Sequence, residues 1–509
     1  MSLDTALLAA RSGLLHTQRA LAAAASNVAN ADTVGYTRKT VDGKAMVAGG
    51  EAAGVRSLAP SRDVDEALLT ELDSRRAAAA GAALRADLLA GIETAHGSPE
   101  VGDSLGDLVA GLRSGFEDLR ADPSEAGRQT ALVLAADELA TRFNEVSSAI
   151  GDSRQQVQDT VVSEVARINA GLRDIGSLTD RIREQIALTG DAAALEDERD
   201  AAISTLSESI EVRALKRDDG GLVLVARNGL MLPLNARQDA FATADATLTP
   251  AAFHGSGGTI PDVTLGGVDV TSSLLGGRLA EAIALRDQTL PRYQAEVDLA
   301  AANLAGRFEA QGLALFTDAS GAVPDVTQPY ATGTALGFAA AIRVNTAVSG
   351  TPALLRDGTH AVTGSALGAA DSTPNPTGGP AAFVALIDRV LDYTFGSQAQ
   401  SGVGWSSIAT SGLGPDGTLT SPFGAPPTLE GYAALVTATQ TADSASAKAS
   451  LASTTSLVDG LETRFNQRSG VDVDTEMAAM VTLQNAYAAN ARILSTVQSM
   501  WDTLMNSVR

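Results

Sequence analysis

At 509 residues with a formal net charge of −23, the chain is too long for one ordinary core and too acidic to favour nucleic acid or an anionic membrane, both of which call for basic surface. No uncharged apolar run approaches the ~18 residues of a membrane span, and the amino terminus lacks a basic region followed by an apolar core. Neither a span nor a cleavable secretory signal is expected, and the absence of cysteine excludes disulfides, thiolate nucleophiles and cysteine metal sites together.

The first stretch reads as a helix, since Leu3, Leu7, Ala10, Leu14, Thr17, Leu21, Ala24 and Val28 alternate by three and four before the turn chemistry of Asn30 and Gly35. Thr37 to Pro60 is punctuated by glycine and predicts extended structure or a hairpin. Helical spacing returns from Ser61 to Glu93 and ends near Gly97-Ser98-Pro99; a shorter helix, about Val101 to Leu119, stops at Asp122-Pro123. No proline follows until Pro233. Within that span Leu132, Ala136, Leu139, Phe143, Val146 and Ile150 keep one heptad phase, whereas Val161, Val165, Ile168, Leu172, Ile175, Thr179, Ile182 and Ile186 keep another. The break in register allows one bent long helix or two in sequence, and a further helix through Leu195, Ile203 and Leu206 closes a bundle.

From Ile210 the period becomes strand-like around the tight-turn dipeptides Asp219-Gly220 and Asn228-Gly229. Strands continue to about Thr271, and Gly276-Gly277 opens a helix to about Gln311. Gly312 to Thr428 is rich in Gly, Pro, Ser and Thr, which predicts an inserted β-containing domain with one helix near Pro380 to Phe395. Helix returns from Leu429 to Asn466. The last stretch, Val471 to Arg509, carries a second seam of Met480, Leu483, Tyr487, Leu494, Val497, Trp501, Leu504 and Val508 with one polar member, Asn490. Asp472, Asp474 and Glu476 suit its first turn, where they cap free N–H groups and meet the positive end of the dipole. The two ends therefore read as partner helices with the rest of the chain inserted between them.

The residues also carry a resemblance. Ser26-Asn27-Val28-Ala29-Asn30-Ala31-Asp32-Thr33-Val34-Gly35-Tyr36-Thr37-Arg38 resembles the amino-terminal signature of the flagellar rod, hook and hook-associated proteins. Gln484-Asn485-Ala486-Tyr487-Ala488-Ala489-Asn490-Ala491-Arg492 resembles their carboxy-terminal one. An internal Leu195-Glu196-Asp197-Glu198-Arg199-Asp200 is similar to the Leu-Asp-Gln-Arg-Asp of the hook-associated members, departing at Glu198.

The expected fold is mainly α with β-rich insertions: a terminal coiled coil plus a long helical bundle, elongated and multi-domain. The expected division is 1–60 with 470–509 as a terminal assembly domain, 61–311 with 429–469 as a helical bundle carrying a β region at about 210–275, and 312–428 as a β-rich outer domain. Leu3, Leu7, Leu14, Leu21, Val28, Met480, Leu483, Tyr487, Asn490, Leu494, Val497, Trp501 and Leu504 are the seam candidates for assembly. Asn27, Asn30, Thr33, Gly35, Tyr36, Gln484 and Ala491 join them on the resemblance. Asn27 and Asn30 read either as caps of the turn into Gly35 or as contacts between subunits. Asn490 reads as a register-setting polar residue. Because Ala10, Thr17 and Ala24 bury little, the ends are expected to order fully only when neighbouring subunits pack around them.

The resemblance implies a non-enzymatic structural subunit in a ring of copies of itself, with a terminal domain lining an axial tube, at the hook–filament junction. Its partners would be the hook protein below, a second junction protein or the filament above, and a dedicated export chaperone on the carboxy-terminal helix. Export would use the flagellar type III apparatus and leave the protein outside the cell, with no cofactor, metal, nucleic acid or membrane. A hook or distal-rod subunit, a freestanding coiled-coil adhesin or effector, and an enzyme hidden in Gly312 to Thr428 stand as rivals. His16, His96, His254 and His360 show no metal-ligand spacing and read as surface or packing residues. His254-Gly255-Ser256-Gly257-Gly258 reads as a flexible loop, lacking a nucleophile elbow or a Walker lysine. The charged run Glu196 to Asp200, with Arg199 among its acids, reads as a solvated helix face rather than a metal cluster, with a contact between subunits as the alternative.

Overall fold

The computed structural model describes residues 3–48, 51–98, 101–234 and 238–507, so Pro99, Val508 and Arg509 lie outside the described residues. Helix α1 (Leu3–Ala29) runs into a turn at Gly35, whose φ of +81° is open to glycine at no steric cost. Strands β1 (Lys39–Thr40), β2 (Gly43–Ala48), β3 (Glu51–Ser57) and β4 (Ser61–Arg62) follow; β2 and β3 form an antiparallel hairpin that the β1–β4 pair closes. The hairpin lies on α1, where Val55 N donates to Ser12 Oγ at 3.0 Å.

Three helices build the body. Helix α2 (Glu66–Ala95) is capped by Asp65, whose carboxylate accepts from Leu68 N, and α3 (Leu105–Ala121) opens on a Ser104/Asp107 capping box. Helix α4 (Ala126–Thr189) is a single element of 64 residues, ~96 Å long at 1.5 Å per residue. Its buried positions keep a three-and-four alternation from Leu132 to Val157, step by four to Val161 and again to Val165, and then resume the alternation. That inserted step is the register break visible in the sequence, and it is accommodated inside one continuous helix.

Helix α5 (Ala193–Ser209) folds back on α4. It feeds the meander β5 (Val212–Lys216), β6 (Leu222–Ala226) and β7 (Met231–Leu232), which turns at Gly220 and Gly229, both at positive φ. A smaller sheet joins β8 (Phe241–Ala242), β9 (Thr264–Leu265) and β10 (Val268–Asp269). Helix α6 (Gly277–Ala284) passes through a π turn, Leu285–Thr289, into α7 (Leu290–Ala310). Pro291 has no N–H to give the preceding turn, which accounts for the local widening.

Buried on nearly every face, α7 is the axis of the body. Such a helix must be covered all round, and this corrects the expectation of a β-rich outer domain at 312–428. That segment holds only the short pairs β11 (Phe316–Thr317) with β12 (Arg343–Val344), β13 (Gln398–Gln400) with β14 (Val403–Gly404), and β15 (Ser411–Leu413) with β16 (Leu419–Thr420). Between them lie α8 (Phe338–Ala341), α9 (Thr346–Gly350), α10 (Leu354–Asp357) and α11 (Ala385–Arg389), the last running into a π turn at Val390–Thr394. Its side chains enter the helical core: Phe316 and Phe395 pack on Phe308 of α7 at centroid distances of 5.7 and 5.6 Å. Asp298, also on α7, accepts from Tyr330 Oη, Gly337 N and Ala339 N.

Helix α12 (Leu429–Ser469) returns along α2, and α13 (Val473–Ser507) runs back along α1. The architecture is mainly α and elongated, with small sheets set between the helices.

Candidate assembly site at the paired chain ends

The two ends meet as expected, but their centre is made of small side chains. On α1 the buried residues are Ala10, Thr17, Ala24 and Asn27, whereas Leu3, Leu7, Leu14, Leu21 and Val28 are half-buried flanks. On α13 only Glu476 and Val497 are buried. Met480, Leu483, Asn490, Ala491, Leu494 and Trp501 are half-buried, while Gln484, Tyr487 and Leu504 are exposed, which corrects the placement of Tyr487 and Leu504 in a closed seam. Close approach is the cause: the Asn490 amide lies so near Gly13 that a Cβ there would meet it at 3.1 Å. A narrow contact cannot enclose long side chains on both flanks.

Apolar surface is therefore left over. Leu8 and Leu15 on α1, and Met477, Val481, Ile493, Met500, Leu504 and Met505 on α13, face solvent. Single exposed apolar residues are ordinary, but six along one paired helix are a surface awaiting cover.

At the base of the pair the amino-terminal signature becomes a hydrogen-bonded joint. Asn27 is wholly buried, and its Nδ2 donates to Lys39 O at 2.9 Å and to Glu476 Oε2 at 3.1 Å. Its Oδ1 accepts from Lys39 N and Tyr36 Oη, each at 3.0 Å. Glu476 also accepts from Arg38 Nε at 2.7 Å, so α13 is held by the turn that follows α1. Asp472 caps α13 by accepting from Thr475 N, and these contacts hold its carboxyl below the usual carboxylate range. Asn30 is half-buried, donating to Ser26 O while accepting from Thr33 Oγ1. Of the two asparagines, Asn27 binds the ends together and Asn30 shapes the turn.

The charged run on α5 is not a solvated face. Asp197, Arg199 and Asp200 are buried. Asp197 accepts from Thr37 Oγ1 at 2.5 Å and Lys39 Nζ at 2.7 Å, and faces Arg62 Nε at 3.1 Å; Asp200 pairs with Arg62 and with Lys216 Nζ at 2.9 Å. Burial by itself would lower the Arg62 pKa, but Asp200, Asp197 and Glu196 outweigh it and hold the guanidinium above its ordinary value. Arg199 points the other way, donating to Gly220 O at 2.8 Å, and burial lowers its pKa. Thus α5 locks the terminal hairpin to the body. Between the turn and the α4–α5 corner lies a cleft of about 1080 Å³ lined by Asn30, Thr33, Tyr36, Lys39, Asp197 and Glu198 among others. Sequence reasoning missed Thr37, Lys39, Arg62 and the buried role of Glu476; the only signal for them was the recurrence of charged motifs near both signatures.

The pattern described as "Flagellar hook-associated protein FlgK helical domain" matches residues 92–321, which run from the end of α2 through α7 and into the segment beyond it. "Flagella basal body rod protein" matches 7–37, and "Flagellar basal body rod FlgEFG protein C-terminal" matches 463–507, the two paired ends. The chain is similar to the flagellar hook-associated proteins over its helical body and to flagellar rod proteins at both ends. Flagellar hook-associated protein 1 of Salmonella typhimurium is 27% identical to this chain over 317 residues, 59% of this chain and 55% of its own. That of Escherichia coli is 26% identical over 324 residues, 61% and 57% respectively, and that of Bacillus subtilis 25% over 242 residues, 45% and 46%. The matched part spans about half the length of these relatives. A solved structure of the flagellar hook junction protein FlgK from Burkholderia pseudomallei aligns with a TM-score of 0.40 at 23% identity, covering 50% of this chain and 45% of that one.

Proposed function

We propose that this protein is a hook-associated, structural, non-catalytic subunit of the bacterial flagellum that assembles as a ring at the distal end of the hook and joins hook to filament. The observation that carries the reading is the incomplete terminal pair: α1 and α13 meet through small residues and leave apolar side chains facing solvent on both helices. In this reading 1–60 with 470–509 form the assembly unit and 61–469 the body, and the ends become fully ordered as neighbouring copies cover them. The partners are other copies of the chain, the hook protein and a second junction protein or the filament. Before export through the type III apparatus, a chaperone covers α13, and the protein works outside the cell. The match of the helical region 92–321 favours the junction over a hook or distal-rod subunit.

Purified chain mixed with isolated hook fragments should decorate their distal ends in negatively stained images, and chain lacking residues 473–509 should not. Decoration along the hook wall, or none, would contradict the assignment.

A further inference from the structure

Away from the paired ends, the small β region places three metal-ligating groups together. His254 follows the Thr249–Ala252 stretch, both of whose terminal carbonyls accept from Arg154 on α4, at 3.2 Å from Thr249 and 2.7 Å from Ala252. Asp269 ends β10, and its Oδ1 accepts from Thr271 N at 2.9 Å and Thr271 Oγ1 at 2.6 Å, which leaves Oδ2 free to face the imidazole. Asp262 arrives from the strand side of the glycine loop. Among the described residues no other three His, Cys, Asp or Glu side chains bring ligand atoms within 4.8 Å of one another.

The three ligand atoms lie within 4.8 Å of one another, around an imidazole nitrogen that no hydrogen bond satisfies. His254 Nε2 is buried and makes no hydrogen bond, although Asp262 Oδ1 is only 2.9 Å away, so the carboxylate stands off the N–H axis. Asp269 Oδ2 lies 4.0 Å from the same nitrogen. Donors about 2.1 Å from a shared tetrahedral cation stand about 3.4 Å apart, a value between these two separations, so small side-chain shifts bring both carboxylates to one ion with the imidazole. The two aspartates are close to half exposed, which leaves room for water to complete a coordination shell. The contacts from Thr271 orient the Asp269 carboxylate as outer-shell partners orient ligands.

We propose that His254, Asp262 and Asp269 bind a divalent transition-metal ion of the zinc type. One imidazole with two carboxylates suits zinc better than the all-oxygen preference of magnesium or calcium. The ion would tie the glycine loop 255–258 and its flanks to β10.

Calorimetric titration of the full chain with zinc chloride tests this. The expected result is one zinc per chain, binding at least tenfold weaker in His254→Gln and in Asp262→Asn, with both variants melting like the parent in chelator. Magnesium chloride should bind at least tenfold more weakly than zinc. Selective ¹⁵N-histidine labelling gives a readout that needs no variant: one ring resonance of the four histidines should shift on saturation. No uptake by the unmutated chain, uptake that survives both substitutions, or equal binding of magnesium would overturn the site.

Discussion

At the scale of single residues, the joint at Asn27 shows how a polar side chain in a seam is made tolerable. All four of its hydrogen-bonding directions are used, and its partners come from three separate elements. Removing one member of such a buried set costs roughly 1–3 kcal/mol for each group left unpaired. Asn27→Ala should therefore speed proteolytic release of 473–507 while leaving the melting of the body unchanged; unaltered release would contradict the joint. Asp73 offers a pH-dependent counterpart. Buried between α2 and α5, its carboxyl is pushed up to about 6 despite the Ser204 hydroxyl bonded to it at 2.6 Å. The folded chain thus holds this proton more tightly than the unfolded chain, and the stabilisation is full below the unfolded value near 3.8 and lost as pH rises through 6. The melting temperature of the parent minus that of Asp73→Asn should fall between pH 4 and pH 7. A constant difference would show that Asp73 does not titrate in this range.

At the scale of elements, the charges on α5 do more than decorate a helix. Arg62 sits between Asp197 and Asp200, so Arg62→Met should leave two buried carboxylates short of a cation and cost about 3–5 kcal/mol. Urea unfolding followed at Trp501, on α13, should then separate from unfolding of the body, whereas coincident transitions would argue against α5 as the lock. The Asn490 amide lies against Gly13 in the terminal pair, and we propose that it sets the register there. Asn490→Leu should raise the thermal stability of helix pairing and reduce correct placement on hooks; unchanged placement would contradict a register role. The helices and their phases were legible because burial repeats along each of them, down to the inserted step in α4. Burial of Asp197 and Asp200 was not legible, because it depends on Arg62 and Lys39, which are distant in the chain. Nor does a heptad say whether its large or its small members sit at the centre. The 312–428 segment hid its role for a related reason: two-residue strands have no period to detect, and its apolar side chains serve the surface of α7 rather than a core of their own.

At the scale of the whole molecule, the body and the ends differ in how completely they are enclosed. One continuous core runs from α2 through α12, held by residues such as Phe116, Tyr293, Phe308 and Tyr432. The paired ends contribute to the buried set little beyond Ala10, Ala24 and Val497. In the proposed function the body is stable by itself and the ends are completed by other chains of the assembly. The domain division, the ring and the identity of the neighbours follow from that reading as proposals, each separable from the helical fold itself.

Hydrogen exchange on the purified monomer, repeated with isolated hook fragments and read over 3–40 and 470–507, tests the central claim most directly. Fast exchange of both ends is expected in the free chain, with slow exchange in α4 and α7, and strong protection of both ends once hooks are added. Ends already protected in the monomer, and unchanged by hooks, would mark a self-contained pair of helices and contradict folding on assembly.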